Sequence, residues 1–203
     1  IMPAGGPSYV KPSWDQYFMA MAVLAASRAT CERGRVGVAM VRDKRLLATG
    51  YNGPVGGNPD CIGQGRCRQT ADGGCAETAH AEQNAVAYAA RYGVDLTNST
   101  CYLSGFSPCL MCAKLLIQCG CRTVIFRQLY RDTMPLEFLA ETGVEMFLYT
   151  GPTPLVSWDA TVTPAGDPTS LELEMSLPDA WSLGKLTGSR RAVLRKYVSG
   201  ASM

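Results

Sequence analysis

Histidine is almost missing from this chain: among 203 residues there is one, His80. With no other histidine available, a second zinc would have to use cysteines. Charge is also sparse, at 18% of residues, and nearly balanced, with 19 basic against 17 acidic side chains and a net charge of +2. No strong basic field exists to hold a phosphate backbone, so no nucleic-acid partner is expected. No apolar run approaches the ~20 residues of a membrane span. The first residues lack the basic-then-apolar order of a secretory leader, so no membrane association and a cytoplasmic location are expected. No internal repeat is visible. Cysteine, in contrast, is plentiful. There are nine, an odd number, which without a secretion signal favours metal ligands and buried thiols over a disulfide framework.

Residues 1–12 carry three prolines and two glycines and read as a flexible lead-in. Residues 13–149 read as one folded domain. Ser13 and Gln16 form a capping box that opens a helix from Trp14 to about Arg28. Val36 to Val41 and Leu46 to Tyr51 are strands of a hairpin about a turn at Arg42–Arg45. A helix from His80 to Tyr92 stops at Gly93, and a strand follows at Thr100–Ser104. A helix opens in its first turn with Pro108 and runs to Gly120. Strand 122–126, helix 135–142 and strand 144–148 complete an alternation that implies an α/β layer fold, at least partly parallel. Residues 52–79, rich in Gly, Pro and Cys, make a loop too long to be passive. Residues 150–203 read as an arm ending in a short helix at Arg190–Val198. The basic residues Arg190, Arg191, Arg195 and Lys196 there suit either a phosphate, a partner subunit or a solvated helix face.

His80 lies in His80-Ala81-Glu82, and twenty-nine residues on stands Pro108-Cys109-Leu110-Met111-Cys112. Two cysteines three apart share a helix face, and the helix N-terminus favours their thiolate forms. One imidazole and two thiolates make three protein ligands for Zn2+, which leaves the fourth position to water, as in a catalytic site. Zinc makes such a water acidic near neutral pH. Glu82, not needed as a ligand, is placed to carry its proton. His-x-Glu followed by Pro-Cys-x-x-Cys is the signature of zinc-dependent nucleobase deaminases. A lone Cys-x-x-Cys also suits a structural zinc or a redox pair.

Further stretches match in order: Ser13-Trp14-Asp15-Gln16-Tyr17-Phe18-Met19-Ala20, Arg28-Ala29-Thr30-Cys31-Glu32-Arg33-Gly34-Arg35-Val36-Gly37, Gly50-Tyr51-Asn52-Gly53 and His80-Ala81-Glu82-Gln83-Asn84-Ala85. Together they resemble the deoxycytidylate (dCMP) deaminases of the zinc-dependent cytidine/deoxycytidylate deaminase superfamily, over about three quarters of the chain. The resemblance implies a three-layer α/β/α fold with a mixed five-stranded sheet. It implies hydrolytic deamination of dCMP to dUMP with release of ammonia, and a homo-oligomer, commonly a hexamer. It gives Arg33 to the substrate phosphate, Asn52 to a sugar hydroxyl and Tyr130 to the nucleotide. Each has a plainer reading: Arg33 as a solvated arginine, Asn52-Gly53 as a tight turn, Tyr130 as core. The loop with Tyr51, Gly53, Gly56 and Gly57 resembles one that binds dCTP or dTTP as effectors in many members, or is a loop with no effector. Cys31, Cys61, Cys67 and Cys75 are enough for a second, structural zinc. Some members carry one with ligands from these regions; otherwise these are free or partly oxidised thiols. Cys101, Cys119 and Cys121 read as core.

The match departs in two places. Tyr102-Leu103-Ser104-Gly105-Phe106-Ser107-Pro108-Cys109 is one residue longer between Tyr and Pro than usual, and its Phe-Ser-Pro-Cys end resembles polynucleotide cytidine deaminases. The tail after 150 has no counterpart. A different small cytosine substrate, such as dCTP, a 5-modified dCMP or a biosynthetic intermediate, therefore stands beside dCMP. A nucleic-acid deaminase is a third reading, disfavoured by the charge.

Overall fold

The computed structural model describes residues 11–64, 67–71 and 73–152, and the backbone of 155–156, 162–163, 181–186 and 191–196. Residues 1–10 of the lead-in and most of the arm lie outside the described residues. Helix α1 spans Trp14–Ala26 and opens as the capping box requires: the Gln16 N–H donates to Ser13 Oγ at 3.2 Å and the Ser13 N–H to Gln16 Oε1 at 2.8 Å. Strands β1 (Gly37–Arg42) and β2 (Arg45–Tyr51) form the hairpin. Its two turn residues, Asp43 and Lys44, both have positive φ, as a two-residue hairpin turn demands.

The loop that follows is pinned by its own backbone. β3 (Gly53–Pro54) pairs with β4 (Thr78–Ala79), a short helix α2 covers Cys61–Gln64, and Gln69 bridges Cys75. Then come α3 (Ala81–Tyr92), β5 (Thr100–Phe106), α4 (Leu110–Gln118), β6 (Thr123–Gln128), α5 (Met134–Glu141) and β7 (Glu145–Tyr149). α3 stops at Gly93, whose φ of 66° is left-handed.

The expected mixed five-stranded sheet is present in the order β7-β6-β5-β1-β2, parallel through β5, β6 and β7 and antiparallel at β1. Alternation along each strand feeds two cores. Val38, Met40, Leu103, Val124 and Phe126 face α3, α4 and α5. Ala39, Val41, Tyr102 and Ile125 meet Phe18, Met19 and Ala22 of α1. The result is the three-layer α/β/α arrangement.

Two differences concern helices. Pro108 is not in the first turn of α4. Cys109 is the N-cap, with extended backbone, and Pro108 precedes it. The short helix expected at Arg190–Val198 is replaced over Arg191–Lys196 by strand β11, which pairs antiparallel with β7 and with β10 (Trp181–Leu186). Six residues gain little as an isolated helix, whereas the open edge of β7 offers a row of unpaired backbone groups. Among the described residues the sheet thus reaches seven strands. A further pair, β8 (Leu155–Val156) and β9 (Val162–Thr163), lies between.

Candidate active site

The site forms where two helix starts meet beyond the strand ends. His80 is the N-cap of α3, its backbone N–H donating to Gln83 Oε1 at 2.7 Å. Cys109 is the N-cap of α4, and Cys112 lies in that helix's first turn, fully buried. His80 Nδ1 is 3.5 Å from the Sγ of Cys109 and 3.5 Å from that of Cys112. The three ligand atoms all lie within 4.8 Å of one another. A nitrogen and two sulfurs suit zinc, and among the described residues no fourth ligand joins them, the donor set of a site that keeps one position for water.

The Cys112 thiol, hydrogen-bonded to Cys109, holds the Cys109 thiol down to about 4. The same bond, with burial, pushes Cys112 up. The hydrogen bond to Cys109 raises the His80 pKa. Glu82, 5% exposed, is pushed above the ordinary carboxylate range by burial. That is the direction an acid–base group needs if it is both to take and to give a proton near neutral pH.

These residues open on a cleft of about 130 Å3 lined by Val36, Asn52, Glu82, Phe106, Ser107 and Tyr130 together with His80, Ala81 and Cys109. Asn52 is buried and holds the neighbouring strap. Its Oδ1 accepts from the Val36 N–H at 2.7 Å and its Nδ2 donates to the Gly34 carbonyl at 2.9 Å. One amide hydrogen and one lone-pair position remain to it. Tyr130 lines the cleft beside Phe106. Arg33 does not: it is exposed and donates from Nη1 to the Gly73 carbonyl at 3.1 Å.

Two of the four residues expected in an effector loop are committed elsewhere. Gly53 pairs with Ala79 in β3–β4, and the Tyr51 carbonyl accepts from Asn84 Nδ2. Gly56 and Gly57 form the exposed turn between, Gly57 with φ of 93°. Among the described residues, Cys31, Cys61, Cys67 and Cys75 do not converge as His80, Cys109 and Cys112 do. Two of them flank one residue: Cys61 Sγ is 3.9 Å from Thr78 Oγ1, and the Thr78 N–H donates to Cys75 Sγ at 3.3 Å. Thr30 Oγ1 donates to Asp60 at 3.0 Å, tying the segment of Cys31 to that of Cys61. Cys101 and Cys121 are core, while Cys119 is half-buried.

Sequence reasoning missed Val36, Phe106 and Ser107 as walls of the cleft. The only signal for the last two was the long stretch before Pro108.

Residues 12–128 match the model for the cytidine and deoxycytidylate deaminase zinc-binding region. The chain belongs to this family. Its histidine–cysteine–cysteine centre lies inside that matched zinc-binding region. It is 43% identical over 134 residues to ComE operon protein 2 of Bacillus subtilis, covering 65% of this chain and 69% of that one. It is 36% identical over 153 residues to the deoxycytidylate deaminase of Schizosaccharomyces pombe, covering 72% of this chain but only 47% of the yeast protein. Among solved structures it resembles the dCMP deaminase of cyanophage S-TIM5 in complex with dCMP and dUMP. That match has a TM-score of 0.58 and 32% identity, over 68% of this chain and 98% of the phage chain. No helix among the described residues is long and apolar enough to cross a membrane.

Proposed function

We propose that this protein converts dCMP and water to dUMP and ammonia. The observation that carries the chemistry is the buried Glu82 carboxyl in the same cleft as His80 and Cys109, whose ligand atoms converge with that of Cys112 behind them. Those three residues would hold a zinc ion, which would supply the Lewis acidity that makes water nucleophilic at neutral pH. Glu82 takes the proton of the water that attacks C4 of the cytosine ring. It hands that proton to ring N3, then takes the remaining proton from the new C4 hydroxyl and passes it to the amine, which departs as ammonia and leaves the C4 carbonyl. Val36 and Phe106 give the cleft apolar walls beside that carboxyl.

For the substrate, the support is the named activity of several relatives and of the phage structure. Asn52 and Tyr130, both at the cleft, are the candidate contacts to sugar and ring. Arg33 is the candidate phosphate clamp, reaching the ligand only by exchanging its bond to Gly73. Purified protein given dCMP should release ammonia and dUMP with a higher kcat/KM than for CMP, dCTP, deoxycytidine or 5-substituted dCMP. If one of those outruns dCMP, the substrate assignment fails and the chemistry stands. The second reading, another small cytosine compound, is favoured by the exposed position of Arg33 and by the irregular edge of the cleft after β5.

A structural zinc on Cys31, Cys61, Cys67 and Cys75 belongs to the same reading. The contacts of Cys61 and Cys75 with the one residue Thr78, which bring two of the four thiols to the same part of the loop, support it. Metal analysis should return two zinc ions per chain, falling to one in Cys61→Ser with a lower melting temperature. One zinc in the unaltered protein refutes the second site. The exposed Gly56–Gly57 turn is the candidate place for dCTP or dTTP, and a homo-oligomer, a hexamer by resemblance, and a cytoplasmic location complete the proposal.

A further inference from the structure

β5 does not run evenly beside β6. Leu103 pairs with Phe126 and the next pair is Phe106 with Gln128, so β5 advances three residues where β6 advances two. The surplus residue is a bulge at Ser104–Gly105, and a bulge re-aims the side chains that follow it. Ser104 Oγ accepts the Gly37 N–H at 2.8 Å. Gly105 lies so near Val36 that a Cβ there would meet its side chain at 3.2 Å. Beyond the bulge, Phe106 and Ser107 turn to the cleft.

Ser107 is 3% exposed and fastened at both ends. Its N–H donates to the Gln128 carbonyl at 2.7 Å, and its Oγ accepts the Tyr130 N–H at 2.9 Å. The Phe106 and Tyr130 rings meet edge to face with centroids 6.2 Å apart. One hydroxyl therefore connects the bulged end of β5, the segment after β6 that carries Tyr130, and the turn that delivers Cys109. It is neither a metal ligand nor within the proton path of Glu82.

We propose that Ser107 is a positioning residue for substrate specificity, its hydroxyl latching the aromatic lip of Phe106 and Tyr130 at a fixed distance from the metal ligands. This rests on the deamination reading above. With the attacked carbon at His80, Cys109 and Glu82, the rest of the ring meets that lip. Loosening the latch changes how the ring is held and which rings are accepted, while the hydrolytic machinery keeps its geometry.

The test compares Ser107→Ala and Ser107→Thr. In the alanine variant KM for dCMP should rise about 10-fold, the loss expected for one buried hydrogen bond, with kcat within about threefold. The ratio of kcat/KM for dCMP to that for 5-methyl-dCMP should shift by about fivefold or more. Threonine, which keeps the hydroxyl, should restore both. Amide exchange at Tyr130 should quicken in Ser107→Ala and not in Ser107→Thr, a readout that needs no substrate. If Ser107→Ala does not fold, Ser107→Cys, of similar size but a poorer acceptor, carries the same comparison. An unchanged ratio, or an equal loss on both substrates accompanied by lost zinc, overturns the inference. If the unaltered enzyme does not turn over dCMP, the substrate reading has failed, and the Tyr130 exchange still decides the latch.

Discussion

Glu82→Gln should reduce turnover by about 10^3-fold or more while zinc content stays the same. Glutamine keeps the length and the polarity of the side chain but cannot take a proton from water or give one to a leaving amine. The metal does not depend on it, because the converging ligand atoms belong to His80, Cys109 and Cys112. Stability should be unchanged or higher. The Glu82 carboxyl is 5% exposed and its ionisation is opposed by burial, so the neutral amide removes a cost that the fold bears for the chemistry. Three measurements on one variant separate the roles: rate, zinc per chain, and melting temperature. Turnover close to that of the unaltered protein would refute the mechanism. Loss of zinc with loss of rate would mean that Glu82 is structural.

The parts of this site that were legible in the sequence are those encoded locally. His80 and Glu82 are two apart at a helix start and Cys109 and Cys112 three apart at another, so spacing alone places each pair. Strand and helix order followed from periodicity for the same reason. What was not legible depends on pairing across the chain. Arg191–Lys196 carries no pattern that separates a short helix from an edge strand; the free edge of β7 decides it. Arg33 matched by its neighbours in sequence, yet its direction is set by Gly73, forty residues away. Ser107 enters the cleft only because β5 carries a bulge against β6. The long stretch before Pro108 marked that something changes there, but where a surplus residue is absorbed is a property of the strand pair.

Gly50 is where packing and chemistry meet most directly, and Gly50→Val should damage both. Gly50 lies on β2 beneath the first turn of α3, and a Cβ there would be driven into the Ala81 carbonyl and to 2.7 Å from the Ala85 N. Both atoms are helix backbone, so no side chain can swing aside. Forcing them apart costs about 1–3 kcal/mol of stability. It also lifts the start of α3, which carries His80 at the N-cap and Glu82 in the first turn. A displacement of about 1 Å at reacting groups is enough to lose about 100-fold in rate. Gly37 supplies the comparison. A Cβ there would strike the Ala22 carbonyl and the Ala26 N of α1, on the opposite face of the sheet. Gly37→Val should therefore lower the melting temperature by a similar amount, yet retain most of its kcat when assayed well below that temperature. Equal kcat losses in the two variants, at equal fractions folded, would show that α3 is not held in catalytic register by its contact with β2.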